Sequence, residues 1–215
     1  MGSDSGRRIA VLISGRGSNL QALIDVVADG RLRAEVAVVI SNRADAGGLE
    51  RARAAGIETL TISHRDYPTR DAFETVLVRE LGARHVSLIC LAGFMRLLGP
   101  TFLDAFPNGI LNIHPALLPS FPGVDAQRQA WAHGVKVAGA TVHFVTGELD
   151  GGPIILQAAV PVQDDDSPET LAARILDEEH RIYPEAVGLV LDGGWTIEGR
   201  RFRTAPQRAR LPGRT

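Results

Sequence analysis

Hydrophobic positions along this chain fall in short continuous runs, separated by stretches in which apolar residues recur at helical spacing. Residues 8–13 form the first aliphatic run. Leu20, Leu23, Ile24 and Val27 then mark the buried face of a helix that opens after Ser14-Gly15-Arg16-Gly17-Ser18-Asn19. The alternation repeats with a strand at 36–40, a helix at 49–54 with Gly56 as its C′ residue, and a weaker strand at 57–62. A helix at 70–81 follows, with Phe73, Val76, Leu77 and Leu81 on its apolar stripe, and then a strand at 86–91. A short helix around 100–106 leads to a fifth strand that runs from Gly109 into Leu111-Asn112-Ile113-His114-Pro115. Runs without polar alternation suit strands covered by helices on both faces. The βα alternation predicts a Rossmann-like parallel sheet.

The pattern then changes. Residues 138–145 and 153–162 are two long strand-like runs joined by Thr146-Gly147-Glu148-Leu149-Asp150-Gly151-Gly152, which reads as a hairpin. The sheet is therefore expected to finish antiparallel. Ser167 is placed to cap a long helix, with Pro168 at its first position and Glu169 in its first turn. Thr170 stands where a capping box wants Glu or Gln, so that box is expected to be incomplete. Leu171, Ile175, Ile182, Val187 and Leu191 mark the apolar stripe, and Pro184 predicts a kink or break. Residues 195–204 form a small terminal hairpin. The expected fold is α/β, mainly parallel with an antiparallel C-terminal part and helices on both faces. One domain is expected over residues 8–204. A flexible segment 1–7 precedes it and a basic tail 205–215 follows, where Pro206, Pro212 and Gly213 break any regular face.

Composition narrows the function classes. The 215 residues suffice for one sizeable core. An apolar fraction of 45% is ordinary for a globular protein. A net charge of −2 gives no field that favours nucleic acid. No apolar run approaches the roughly eighteen residues needed to cross a bilayer. Cys90, the only cysteine, lies inside an aliphatic run, so a packed thiol in a reducing cytoplasm is expected.

The chemistry-bearing residues concentrate after the fifth strand. Alternation along an extended backbone points Asn112 and His114 to one face, and Pro115 and Pro119 stiffen the loop that follows. From this stretch alone, a hydrogen-bonded structural histidine and a catalytic one are equally well served. The glycine-rich turn at 14–19 joins a strand to a helix N-terminus, which favours an anion. It is not a Walker loop, since no Lys-Ser/Thr follows, and Leu20 stands where the dinucleotide fingerprint needs a third glycine. Phosphate binding without a dinucleotide is the reading it supports. Asp150 closes the hairpin loop before Gly151-Gly152-Pro153, and a carboxylate beside an imidazole orients the ring and favours its protonated form. No serine or cysteine has the context of an activated nucleophile, and the six histidines show no metal-ligand spacing. A His, Asn and Asp set without a protein nucleophile points to direct attack of one substrate on another.

Five motifs carry a family resemblance: Ser14 to Leu20, Leu91-Ala92-Gly93-Phe94-Met95-Arg96, Leu111 to Pro115 with Leu117-Leu118-Pro119, Glu148 to Pro153, and Glu179-His180-Arg181-Ile182-Tyr183-Pro184. With them the chain resembles the folate-dependent phosphoribosylglycinamide formyltransferases of purine synthesis. The resemblance implies transfer of the formyl group of 10-formyltetrahydrofolate to the amine of glycinamide ribonucleotide, with no metal. It implies His114 as proton carrier, Asn112 as partner of the formyl oxygen and Asp150 as partner of His114. Gly17, Ser18 and Asn19 would cradle the acceptor's phosphate, and Glu179 would meet its ribose or amine region. Arg70, Met95, Arg96, Leu97 and Leu98 would form the folate pocket together with Asn112 and the Val145, Thr146, Gly147, Glu148, Leu149, Asp150 loop. Partners are then small molecules, with the chain a monomer or homodimer.

Each role has a plainer counterpart. Arg70 would otherwise be a surface side chain, Leu97 and Leu98 core, Glu179 part of a solvated acidic patch, and His143 a structural strand residue. Asp125 and Gln127 stand where many relatives carry histidines. Leu118-Pro119 is a candidate cis peptide. Methionyl-tRNA formyltransferase and formyltetrahydrofolate hydrolase are the nearest rival activities. They normally carry a further C-terminal and N-terminal domain, respectively, and neither is expected here. A nucleotide-binding regulatory module is the rival outside enzymes, but it would not need Asn112, His114 and Asp150 together.

Overall fold

Strands β1 (Arg8–Ile13), β2 (Glu35–Ser41), β3 (Thr59–Thr61), β4 (Leu88–Leu91) and β5 (Ile110–His114) realise the aliphatic runs of the first half of the chain. They pair in parallel in the order β3-β2-β1-β4-β5. The computed structural model describes residues 7–204; the leading residues 1–6 and the basic tail 205–215 lie outside the described residues. Helices α1 (Ser18–Ala28), α2 (Gly48–Ala54), α3 (Arg70–Ala83) and α4 (Pro100–Leu103) connect these strands, with a 3-10 turn at His64–Asp66 between β3 and α3. After β5 come α5 (Ala126–Ala132), then β6 (Val137–Phe144), antiparallel to β5, and β7 (Ile154–Pro161), antiparallel to β6. Helix α6 (Pro168–Asp192) precedes the hairpin of β8 (Trp195–Glu198) and β9 (Arg201–Thr204), which joins the sheet edge at β7. Arg7 is tied to the domain by an ion pair with Asp192. No helix is long and apolar enough to cross a membrane among the described residues.

Alternation along β1 splits the core in two. Ile9, Val11 and Ile13 pack with Leu20 and Leu23 of α1 and Ile175 and Val187 of α6. Ala10 and Leu12 face the other way, toward Phe73, Leu77 and Leu81 of α3 and Phe102 of α4. The Tyr183 hydroxyl of α6 donates to the Leu91 carbonyl at 2.9 Å, fastening that helix beneath β4.

Several elements differ from expectation, each for a local reason. Val26 rather than Val27 completes the buried face of α1. Val76 is only half-buried, whereas Glu74 is fully buried on α3. The capping box of α6 is complete: the Ser167 hydroxyl accepts from Thr170 N–H, and the Thr170 hydroxyl accepts from Ser167 N–H at 3.0 Å. A threonine hydroxyl is thus a sufficient return acceptor. Helix α6 continues unbroken through Pro184, which is buried with Tyr183, Ala186 and Val187. Packing on the sheet outweighs the roughly 3 kcal/mol intrinsic cost of an interior proline. Helix α5 was not legible because its buried side is only Ala126 and Ala130.

Strand β1 lies between β2 and β4, so the chain leaves it toward one edge and later returns to its other side. In open α/β sheets such a switch point opens a crevice beyond the strand C-termini. The turn at 14–19 and the segment at 92–98 border that crevice, and the end of β5 lies next to it. The Ser14 hydroxyl joins them, accepting from Met95 N–H at 2.9 Å and donating to Asn42 Oδ1 at 2.6 Å.

Candidate active site

The β5–β6 register sets Asn112 opposite His143 and His114 opposite Thr141. Asn112 Nδ2 lies 3.2 Å from His143 Nε2, and His143 Nδ1 lies 2.8 Å from the Phe144 carbonyl. A carbonyl only accepts, so Nδ1 carries the proton and Nε2 presents a lone pair to the Asn112 amide. Burial holds the His143 pKa below its ordinary value, consistent with this neutral ring. The histidine read as structural from sequence therefore sets the orientation of Asn112.

His114 is 4% exposed. Its Nε2–H donates to the Phe121 carbonyl at 2.8 Å, leaving the lone pair of the neutral ring at Nδ1. That nitrogen faces Asp150 Oδ2 at 3.6 Å, and Asp150 Oδ1 is 3.7 Å from His143 Nε2. Gly123 N–H donates to Asp150 Oδ2 at 2.8 Å. The segment after Pro119 thus holds both His114 and Asp150 through backbone atoms. Phe121 adopts φ 55° and Asp150 φ 48°, a region that non-glycine residues seldom occupy and that functional sites tolerate. The Leu118–Pro119 bond is cis. Thr141 accepts from Leu118 N–H and donates to the Ala116 carbonyl, fixing the loop from the next strand. Asp125 stands at the start of α5, exposed, with no side-chain cap bond.

The glycine-rich turn is open for an anion. Gly17 adopts φ 74°, and a Cβ there would lie 2.6 Å from the Gly48 Cα. No side chain caps α1, so its first backbone N–H groups are available to a ligand. Asn19 Nδ2 donates to Glu179 Oε2 at 2.6 Å, while Asn19 Oδ1 is buried with no partner among the described residues. Glu179 is buried, unlike its exposed neighbour Asp177, and burial raises its pKa. An unpaired amide oxygen beside a buried carboxyl suits hydroxyl or amine donors. A cavity of about 440 Å³ continues from this turn along α1, lined by Ser18, Gln21, Arg51 and His180 among others.

On the other side lie the residues expected to meet folate. Met95 and Leu97 are 71% and 65% exposed, and Leu149 is 54% exposed, so apolar surface borders the crevice. Leu98 and Val145 are half-buried; Arg96, Thr146, Gly147 and Glu148 are exposed. Arg70 begins α3, with its guanidinium against Gly99. Leu97 is therefore not core, and Glu179 is not a solvated face. Among the described residues no cluster of His, Cys, Asp or Glu is placed to hold a metal ion.

Sequence reasoning read His143 as structural and gave no separate role to the Phe121 carbonyl, the Gly123 N–H or Ser14. The β5–β6 register was the one signal for His143, and the long connection at 115–136 leaves that register open in the sequence.

The family profile described as formyl transferase matches residues 7–187. The chain belongs to the formyl transferase family. It is 48% identical to the phosphoribosylglycinamide formyltransferase of Escherichia coli over 185 residues, covering 86% of this chain and 87% of that protein. Identity to the Bacillus subtilis enzyme of the same name is 41%, over 86% of this chain and 95% of that protein. It also matches the human trifunctional purine biosynthetic protein adenosine-3 at 48% identity, but spans only 18% of that protein's length. In Drosophila pseudoobscura the corresponding share is 14%. Among solved formyl transferase structures, glycinamide ribonucleotide transformylase 1 from Symbiobacterium toebii superposes with a TM-score of 0.92. The two are 59% identical, and the match covers 96% of each chain.

Proposed function

We infer that this formyl transferase moves the formyl group of 10-formyltetrahydrofolate to the amine of glycinamide ribonucleotide, giving formylglycinamide ribonucleotide and tetrahydrofolate. The observation that carries this reading is the meeting of Asn112, His114 and Asp150 at the end of β5, beside an uncapped helix N-terminus. Small soluble substrates and one buried cysteine, its thiol pushed up to about 12 chiefly by burial, suit a cytoplasmic enzyme acting as monomer or homodimer.

In the reaction so read, α1 holds the acceptor's phosphate through the turn at Gly17, Ser18 and Asn19. Glu179 and the free Asn19 oxygen receive hydrogen bonds from the acceptor's ribose or amine region. The neutral amine attacks the formyl carbon, and the carbonyl oxygen gains negative charge. The Asn112 amide, aimed by His143, donates to that oxygen, the kind of pre-oriented donor that stabilises an oxyanion. The proton lost by the amine is taken at His114 Nδ1, where Asp150 stabilises the imidazolium. It passes to the folate nitrogen as the bond from that nitrogen to the formyl carbon breaks. Met95 to Leu98 and the 145–149 loop supply apolar walls and backbone groups for the pterin, and Arg70 a cation for folate's anionic end.

The decisive assay is consumption of 10-formyltetrahydrofolate by purified protein with and without glycinamide ribonucleotide. Loss only with the acceptor is expected; equal loss without it would mark a hydrolase. His114→Ala should abolish turnover while leaving acceptor affinity largely intact. Full activity in that variant would remove His114 from the mechanism.

A further inference from the structure

Helix α3 buries a carboxylate that the reaction does not use. Glu74 is fully buried, on a face otherwise made by Phe73, Leu77 and Leu81. A carboxylate is costly there unless its oxygens are satisfied. Oε1 accepts from Gly99 N–H at 2.6 Å and Oε2 from Phe102 N–H at 3.2 Å. One turn earlier on α3, Arg70 Nε stands 3.7 Å from Oε1, its side chain half exposed. The guanidinium also lies against Gly99, where a Cβ would come within 2.7 to 2.9 Å of Arg70 Nε, Cζ and Nη2. Gly99 has φ −98°, so the missing side chain provides room for Arg70 and no unusual backbone.

We propose that Glu74 is a positioning residue for the folate end of the site, joining Arg70 and the 95–99 segment into one unit. This rests on the reading of Arg70 and Met95 to Leu98 as folate-binding. Through Gly99 N–H the carboxylate fixes where that segment ends, and through Nε it aims the remaining guanidinium N–H groups away from the core. The segment's other end is held by Ser14, so both its anchors are buried polar side chains outside the substrate contacts.

The test is a double-mutant cycle on the full chain, reading KM for both substrates, kcat, and tetrahydrofolate affinity by fluorescence titration. Arg70→Ala should raise the folate KM about tenfold, the scale of one charge-assisted bond. Glu74→Gln should raise it in the same direction, leave kcat and the acceptor KM within about twofold, and add nothing in the Arg70→Ala background. Gly99→Ala, which pushes the guanidinium aside while keeping the carboxylate, should repeat that selective loss and covers the case in which Glu74→Gln does not fold. A plain α4 cap would instead lower Tm and disturb both substrates alike, or multiply with Arg70→Ala, and either result overturns the proposal. An unchanged folate KM in folded Gly99→Ala overturns it as well. If Arg70→Ala itself leaves folate binding intact, the folate reading of Arg70 fails and the proposal falls with it.

Discussion

A histidine that gives its Nδ1 proton to a backbone carbonyl has one lone pair left, and in His143 that lone pair faces the Asn112 amide. The consequence is a defined pH dependence. Burial lowers the folded pKa below 6.5, so the neutral ring is favoured in the native state. Its stabilising contribution is complete above about pH 6.5 and is lost as pH falls through the unfolded value toward the folded one. Nitrogen-15 NMR should show the Nδ1–H tautomer at neutral pH, and a protonated His143 at pH 7 would contradict this arrangement. His143→Ala should lower kcat by about ten- to a hundredfold, since a misaimed oxyanion donor forfeits part of its stabilisation. Glu179 behaves in the opposite sense. Its folded pKa is raised by burial, so the contribution present below about pH 4.5 is lost as pH rises through the folded value. Glu179→Gln should therefore match or exceed the parent in Tm at pH 8, with the difference closing toward pH 4, while acceptor KM rises. A variant less stable at pH 8 than at pH 4, relative to the parent, would contradict that sign.

At the scale of elements, periodicity and backbone chemistry carried most of the information. The aliphatic runs became β1, β2, β4 and β5, and the change of pattern after His114 became the antiparallel pair β6 and β7. What escaped notice depended on contacts that a local pattern does not contain. Glu74 occupies a core position because distant backbone N–H groups meet it, and Pro184 is tolerated because α6 is pressed onto the sheet. Helix α5 buries only alanines and leaves almost no apolar signal. The glycine-rich turn at 14–19 was legible as a tight turn because Gly17 has a backbone reason. Gly17 needs φ 74° and has the α2 backbone against it, so Gly17→Ala combines left-handed strain with a clash against Gly48. That variant should lose roughly 1–3 kcal/mol of stability, consistent with strain of this kind. Its acceptor KM should rise well beyond its folate KM. Calorimetry and steady-state kinetics check both, and a parallel rise in the two KM values would dissociate the turn from acceptor binding.

At the scale of the whole molecule, the site exists because the sheet reverses its order at β1. Asn112 and His114 share one strand and were readable from it. Asp150 comes from the loop between β6 and β7, and the atoms that hold it come from the segment after Pro119, so their meeting follows from topology and register. Ser14 makes the same point for the two loops proposed to bind the substrates. Its hydroxyl sits where the glycine-rich turn leaves β1, and it accepts from the Met95 N–H of the segment that leaves β4. Ser14→Ala would strip that N–H of its acceptor and Asn42 Oδ1 of its donor, costing about 1–3 kcal/mol. Because the hydroxyl touches both loops and neither reacting centre, KM should rise for acceptor and folate together while kcat at saturation holds. That pattern differs from Glu74→Gln, which should affect folate alone. A rise confined to one substrate would show that the loops are set independently, and that the switch point brings them together without coupling them.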